Sequence, residues 1–192
     1  MRSIPLLLLT CGSLLGQIDL TPTASIRKLD GAEFAEVLFR DGARQISYDP
    51  PTGWTYNGNS TRLDLRPPNN DGQASVTVSS LPTSAISKED RNNQLRDAVR
   101  KFIPPGAELV QFAPEEMPLQ IDGRDTVEEN VTYTIGGQRY HLNVVFLDVD
   151  NTRFAFRLQG LESSFDEVKK VFRRSLFSWQ WLPAQHPNIP SQ

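Results

Sequence analysis

Histidine is the side chain best suited to act as a catalytic base near neutral pH, and this chain contains only two. His186 lies in a proline-rich tail, and His141 lies in a run of alternating polar and apolar residues. No serine stands in a G-x-S-x-G motif that would present a nucleophile to such a base. We therefore interpret His141 as a half-exposed strand residue and predict that the chain has no catalytic residues.

The sequence also lacks the usual patterns for binding a metal or a nucleotide. Residues 148–151 begin like a calcium loop, but the glycine and the distal glutamate of that loop are missing, so a polar turn is predicted. The acidic pairs 115–116 and 128–129 are sequence neighbours, and neighbours in an extended chain point in opposite directions. No G-x-G-x-x-G or G-x-x-x-x-G-K-[ST] motif occurs. We predict no metal and no cofactor.

Polar residues on two predicted strands are the remaining candidates for binding. Arg139, His141 and Asn143 share one face of a strand, and Arg153 and Arg157 share one face of another, because side chains alternate along a strand. If no helix covers these faces, the five side chains form a polar patch that suits a protein partner or a small anionic ligand. The alternative is that all five are simply solvated positions.

The elements that would carry these residues form a series of hairpins. Residues 127–135 and 138–147 are rich in β-branched and aromatic types and are joined by Gly136-Gly137, which predicts a hairpin. Residues 152–158 alternate strictly and predict a third strand. After Gly160, apolar residues recur at three- and four-residue steps, which predicts an amphipathic helix lying across the sheet.

The first half of the chain repeats this pattern. Asp41-Gly42 between residues 34–39 and 43–48 predicts a hairpin, and further alternating runs over residues 61–66 and 74–79 predict another. A capping box at residues 87–90 starts a helix, and Pro104-Pro105-Gly106 ends it. The next run, residues 108–112, reads as a further strand. The order predicts an α+β fold, an antiparallel β-sheet with helices packed on it, and three layers if the helices lie on opposite faces.

Composition limits the class of protein. The chain has 192 residues and is 38% hydrophobic, which suffices for one well-buried core, so one domain is predicted. Twenty basic residues are scattered among twenty-three acidic ones, and this distribution does not indicate a nucleic-acid partner. Cys11 is the only cysteine, so the folded domain has no disulfide framework.

Residues 1–16 have one positive charge, a leucine-rich stretch and a small residue at the end, which is typical of a secretory signal peptide. Two alternatives are a retained apolar anchor and lipidation of Cys11, because Leu8-Leu9-Thr10-Cys11 resembles a bacterial lipobox. We divide the chain into a signal peptide (1–16), a linker (17–32), a domain (33–182) and a flexible proline-rich tail (183–192).

Three motifs within residues 43–181 resemble a known family. Tyr48-Asp-Pro-Pro-Thr-Gly-Trp54 is similar to the entry motif of PsbP-like and Mog-like domains, Ile121-Asp-Gly123 to their lead into a long hairpin, and residues 165–178 to their closing helix. The resemblance implies an α/β/α sandwich. It also implies a bacterial envelope member of a family whose other members include photosystem accessory proteins and a Ran-binding protein, most of which bind proteins and are not known as enzymes.

These observations predict a secreted or periplasmic, non-catalytic and monomeric binding or accessory domain, protein-binding or chaperone-like in the cell envelope. Its partner would be an envelope protein, and it would reach a membrane only if Cys11 is lipidated. A carrier of a small hydrophobic or anionic ligand, held between helix and sheet, is the alternative. An uncharacterised hydrolase that uses His141 is the third hypothesis.

Overall fold

The computed structural model describes residues 18–81 and 88–183. The predicted signal peptide, Cys11, the first residue of the predicted capping box and the tail beyond Pro183 lie outside the described residues. Along the chain the strands are β1 Ile18–Leu29, β2 Ala32–Asp41, β3 Arg44–Tyr48, β4 Thr55–Asn59, β5 Arg62–Arg66, β6 Gln73–Ser80, β7 Glu108–Pro114, β8 Gln120–Ile121, β9 Arg124–Asp125, β10 Val127–Ile135, β11 Gln138–Val149, β12 Thr152–Leu161 and β13 Gln180–Leu182. The helices are α1 Lys88–Arg100 and α2 Glu162–Leu176.

A seven-stranded antiparallel sheet, in the order β4-β5-β6-β12-β11-β10-β7, forms the centre of the fold. A second sheet has the order β1-β2-β3-β13, and β8 pairs with β9 in a small hairpin. The β10–β11 and β11–β12 pairs follow the hairpins predicted from Gly136-Gly137 and from the turn at residues 150–151. Short connections account for the β4-β5-β6 and β12-β11-β10 parts of this order, because consecutive antiparallel strands need only a short connection, whereas the β6–β12 and β10–β7 pairs join strands that are not consecutive in sequence.

The two helices pack on opposite faces of the seven-stranded sheet. Val144 of β11 lies in one apolar cluster with Leu95 and Val99 of α1, whereas Val145 lies in the other cluster with Phe172 of α2. Neighbouring strand residues point to opposite faces, so the α/β/α arrangement predicted from the sequence is confirmed.

The core on the α2 side is built around Trp179, which is fully buried. Its ring lies 5.3 Å from that of Phe39, 5.4 Å from that of Tyr48 and 5.0 Å from that of Phe156. Phe39 and Tyr48 belong to the second sheet and Phe156 to the seven-stranded sheet. The residues after α2 therefore join the two sheets, and aromatic burial of this size contributes several kcal/mol to folding, on the order of 2–3 per ring.

The predicted linker over residues 17–32 is corrected by the structure, which places the long strand β1 there. The segment has no sustained apolar period because β1 is an edge strand whose pairing with β2 shifts register between Asp19 and Thr23, beside Pro22. Burial of Ile18 and Leu20 anchors it to the core. The prediction also missed β4 and β13, which are short strands of three to five residues.

Candidate functional site

A buried polar network lies between α2 and the seven-stranded sheet. Asn130 of β10 and Asn143 of β11 are directly opposite each other, and the Asn143 amide donates to Asn130 Oδ1 at 3.0 Å. The same amide donates to Glu128 Oε1 at 2.7 Å. The side chain of Glu128 is fully buried, so its charge requires compensation from within the protein.

That compensation comes from two basic residues of α2. Lys169 Nζ donates to Glu115 Oε2 at 2.9 Å and to Asn130 Oδ1 at 2.8 Å. Arg173 Nη2 donates to Glu128 Oε2 at 3.0 Å and to the carbonyl oxygen of Met117 at 2.9 Å. Lys169 and Arg173 are four residues apart and therefore lie on one side of the helix, one turn apart. The pair fixes α2 against both the sheet and the segment that follows β7.

The network sets the charge of its outer carboxylate. The hydrogen bond from Lys169 lowers the pKa of Glu115, and the bond from Asn130 acts in the same direction, while burial opposes both. Glu115 is therefore ionised at neutral pH and forms a stable ion pair with Lys169. This ion pair lies at the edge of an open groove.

Grooves flank α2 on both sides. A groove of about 410 Å³ separates the helix from the segment after β7, and one of about 580 Å³ separates it from the loop at residues 49–52. Lys170 and Arg174 line both grooves. Neither forms an ion pair with any residue that the structure describes. Val171 and Phe177, which are 43% and 59% exposed, lie beside them. We call Lys170, Val171, Arg174 and Phe177 the α2 outer face.

The structure places three of the five residues of the predicted polar patch on the α2 side of the sheet. Arg139 Nη1 and His141 Nε2 lie 3.2 and 3.4 Å from Glu162 Oε1, close to the start of α2. The His141 ring also contacts Phe165, at 5.2 Å between centroids. Asn143 is fully buried in the network described above. Helix α2 therefore covers Asn143 and most of His141, whereas the Arg139 side chain stays 54% exposed at the start of the helix.

The other two arginines lie on the α1 face. Arg153 forms a two-pronged ion pair with Asp148, at 2.7 and 2.8 Å, and its guanidinium lies 5.5 Å from the Phe146 ring. Arg157 lies 5.6 Å from the Phe102 ring, and burial lowers its pKa. The five residues thus lie on two faces of one sheet and form no common surface. Any role of these positions in binding stays a prediction.

The sequence did contain a signal for the network, although the interpretation missed it. Glu128 and Glu129 were expected at the solvated surface because they are charged neighbours, but both faces of the sheet are covered, so both residues are buried. Lys169 and Arg173 border the apolar stripe of α2 at a spacing of four residues. This spacing places both cations on one side of the helix, at the border of the stripe, but it does not identify Glu128 as their partner.

Other kinds of site find no support in the described ranges. Within residues 18–81 and 88–183, no group of three or more histidine, cysteine, aspartate and glutamate side chains is placed to hold a metal ion. The helices of those ranges are too short or too polar to cross a membrane.

Comparison with known proteins identifies the fold. No protein-family model and no curated protein sequence matches the chain. Among solved structures, LpqN of Mycobacterium tuberculosis, described as involved in cell envelope biogenesis, is similar with a TM-score of 0.51 and 12% identity, over 86% of this chain and 92% of LpqN.

Two further solved structures are similar at lower scores. Cyanobacterial PsbP (CyanoP) of Synechocystis sp. PCC 6803 has a TM-score of 0.47 and 18% identity, over 91% of this chain and 99% of CyanoP. The Ran-binding protein Mog1p of Saccharomyces cerevisiae has a TM-score of 0.46 and 11% identity, over 82% of this chain and 90% of Mog1p. The chain has the PsbP/Mog-like fold that its sequence motifs predicted, and at these identities the similarity concerns the fold alone.

Proposed function

We propose that this protein is a non-catalytic binding domain of the bacterial cell envelope, secreted or periplasmic, which recognises a protein partner through the α2 outer face. The observation that carries the proposal is that Lys170 and Arg174, which form no ion pair with a described residue, lie beside the exposed apolar residues Val171 and Phe177. An exposed apolar patch with a charged rim is typical of a protein-interaction surface.

Charge and shape define the partner segment. Lys170 and Arg174 attract carboxylates, and the grooves on either side accept apolar side chains next to Val171 and Phe177. The complementary partner is therefore an acidic segment that also carries apolar residues. The network under the helix holds Lys169 and Arg173, so the outer face is positioned before the partner arrives, which reduces the entropy lost on binding.

The envelope location rests on two observations. Residues 1–16 read as a secretory signal peptide, with lipidation of Cys11 as the alternative that would place the domain at a membrane. LpqN, which shares the fold, is described as involved in cell envelope biogenesis. Both support an accessory role outside the cytoplasm.

The test is site-specific photocrosslinking in the host envelope. A photoreactive residue at position 170 or 171 is expected to capture one protein, and mass spectrometry should map the crosslink to an acidic segment of it. As the control, the photoreactive residue replaces Lys101, which is exposed on the α1 side. Equal capture at positions 101 and 170, or a crosslinked segment without acidic residues, would contradict the proposal.

Charge reversal supplies an independent measurement. The double variant Lys170→Glu, Arg174→Glu should abolish capture by the tagged protein while leaving its thermal melting nearly unchanged, because both side chains are exposed. The double variant Arg66→Glu, Lys101→Glu makes the same change of net charge at exposed positions elsewhere and should retain the partner. Retention by both variants would remove the α2 outer face from the binding surface.

A second function, carriage of a small anionic or hydrophobic ligand, is favoured by the groove of about 410 Å³. It combines Lys169, Arg173 and Arg174 with the apolar side chains of Leu119 and Phe177. Native mass spectrometry of the purified protein distinguishes the two functions. A bound small molecule that is lost in Arg174→Glu favours the carrier, and an unliganded mass favours the protein-binding function.

A further inference from the structure

A third groove, of about 540 Å³, lies on the far side of the loop at residues 49–54. We call it the β2 groove because the first half of β2 forms one wall and the loop and Tyr56 form the other. Its lining includes three aromatic and three acidic side chains, namely Phe34, Trp54, Tyr56, Glu33, Glu36 and Asp49. None of the described residues that line it is basic. The groove therefore has the opposite charge to the α2 outer face.

The acidic side chains of the β2 groove are held by neutral or exchangeable contacts. Glu36 accepts a hydrogen bond from the neutral Ser47 hydroxyl at 2.8 Å, and it forms no ion pair with the residues that the structure describes. Glu33 Oε1 lies 3.0 Å from Lys28 Nζ, with both side chains more than half exposed. Such an exposed ion pair contributes about 0–1 kcal/mol, so an incoming cation can replace Lys28.

One acidic residue of the β2 groove, Asp49, pairs with an arginine of this chain that does not itself line the groove. Arg27 Nη2 donates to Asp49 Oδ2 at 2.8 Å. The second carboxylate oxygen of Asp49 has no hydrogen-bond partner among the described residues. Arg27 therefore compensates the charge of Asp49, and Glu33 and Glu36 are the carboxylates of the lining that remain to attract a cation.

Three aromatic side chains, Phe34, Trp54 and Tyr56, line the groove. Phe34 and Tyr56 are 44% and 39% exposed. Trp54 stacks in parallel on Phe172, with centroids 6.2 Å apart and an interplanar angle of 5°, so the core fixes the orientation of its ring. Aromatic faces attract cations, and arginine is the side chain that most often stacks on them. Acidic groups beside such rings select a cationic side chain over a neutral one.

We infer that the β2 groove binds an arginine-bearing, extended segment of the same partner protein. The inference rests on the proposed function, because the β2 groove and the groove beside α2 share Asp49, Pro50, Pro51 and Thr52 and so continue across the loop. One segment can therefore place acidic residues on Lys170 and Arg174 and a basic residue beyond the loop. The α2 outer face and the β2 groove together then select a partner by the order of acidic and basic residues along its segment.

Nuclear magnetic resonance titration of the isotope-labelled protein tests the inference without the partner. The probe is a capped peptide of alternating proline and arginine, and the control is the same peptide with neutral citrulline in place of arginine. We expect the arginine peptide to shift the Trp54 indole resonance and the backbone resonances of residues 33–37 and 49–56. The citrulline peptide should shift them at least about tenfold more weakly at equal concentration.

Variants locate the binding site. The double variant Glu33→Gln, Tyr56→Ala removes one carboxylate and one ring from exposed positions and should weaken peptide binding about tenfold. The double variant Glu108→Gln, Val110→Ala, which makes a similar change at exposed positions of β7, should leave the affinity unchanged. Equal shifts by both peptides, or unchanged affinity in the double variant, would overturn the inference.

The outcomes separate this inference from the proposed function. Loss of partner capture in Lys170→Glu, Arg174→Glu, combined with absence of a response to the arginine peptide, leaves the α2 outer face as the binding surface and overturns the role of the β2 groove. An arginine-dependent response that maps to residues 33–37 and 49–56 establishes the site even if the α2 variants still capture the partner.

Discussion

Glu128→Gln is the substitution that most directly tests the network under α2. The glutamate side chain is fully buried and accepts from Asn143 at 2.7 Å and from Arg173 at 3.0 Å. Glutamine has the same shape, but its amide group must point at one of these two donors. Removing one partner of a buried ion pair costs about 3–5 kcal/mol. Arg173 is 26% exposed and keeps the Met117 carbonyl, so we expect a smaller cost than this, about 2–3 kcal/mol.

Urea denaturation followed by tryptophan fluorescence measures this loss, because Trp179 is fully buried in the folded state. The corresponding decrease in Tm is about 4–12 °C for a domain of this size. The control is Glu162→Gln, whose side chain is 49% exposed where it meets Arg139 and His141, and it should cost less than about 1 kcal/mol.

A double-mutant cycle with Arg173→Met separates the pair from other effects of the substitution. The two changes should be non-additive by at least about 1 kcal/mol if Glu128 and Arg173 form one unit. Additive losses, or a Glu128→Gln protein as stable as the wild type, would refute the idea that this ion pair fixes the helix.

Three further predictions concern the sheet and its carboxylates. The pKa of Glu115 is lowered mainly by its hydrogen bond from Lys169. The ionised carboxylate therefore stabilises the fold above its unfolded pKa of about 4.3, and this stabilisation is lost as the pH falls. On acidification, Tm should decline more steeply in the wild type than in Glu115→Gln. Burial raises the pKa of Glu129, so ionisation of this side chain opposes folding above its unfolded pKa of about 4.3. Glu129→Gln should therefore have a higher Tm than the wild type, with the difference growing between about pH 4 and 7. Gly160→Ala would place a Cβ 2.8 Å from the Asp71 carbonyl oxygen and should cost about 1–3 kcal/mol in thermal denaturation, with an unchanged Tm contradicting the close approach.

Local patterns in the sequence predict much of this fold. Hairpins with short glycine-containing turns, such as the one at Gly136-Gly137, appear in the sequence because the turn needs positive φ angles, and both glycines have them. The amphipathic stripe of α2 appears for the same kind of reason, since its buried residues Phe165, Phe172 and Leu176 recur at helical spacing. Strand β1 is not predictable from its own sequence, because its pairing depends on β2 and on a register shift beside Pro22.

The candidate site was harder to predict than the fold, since it depends on which faces are covered. Arg153 and His141 are both predicted from the sequence to be outward-facing polar residues, but the pairing register of β11 and β12 places them on opposite faces of the sheet. From the sequence alone, Glu128 is predicted to lie at the surface. Its partners Lys169 and Arg173 lie more than forty residues later, and patterns of neighbouring residues do not predict contacts over that distance. Burial of a charge is a tertiary property that periodicity alone does not contain.

The buried network gives α2 a defined position that apolar packing alone would not. An apolar stripe tolerates small shifts of a helix along a sheet, whereas two cations on separate carboxylates have one good alignment. Lys170 and Arg174 directly follow the two network cations Lys169 and Arg173 in sequence. Any shift of the helix that breaks the inner ion pairs therefore moves the outer cations relative to the loop at residues 49–54. For this reason Glu128→Gln should weaken partner capture as well as stability, although Glu128 itself contacts no partner.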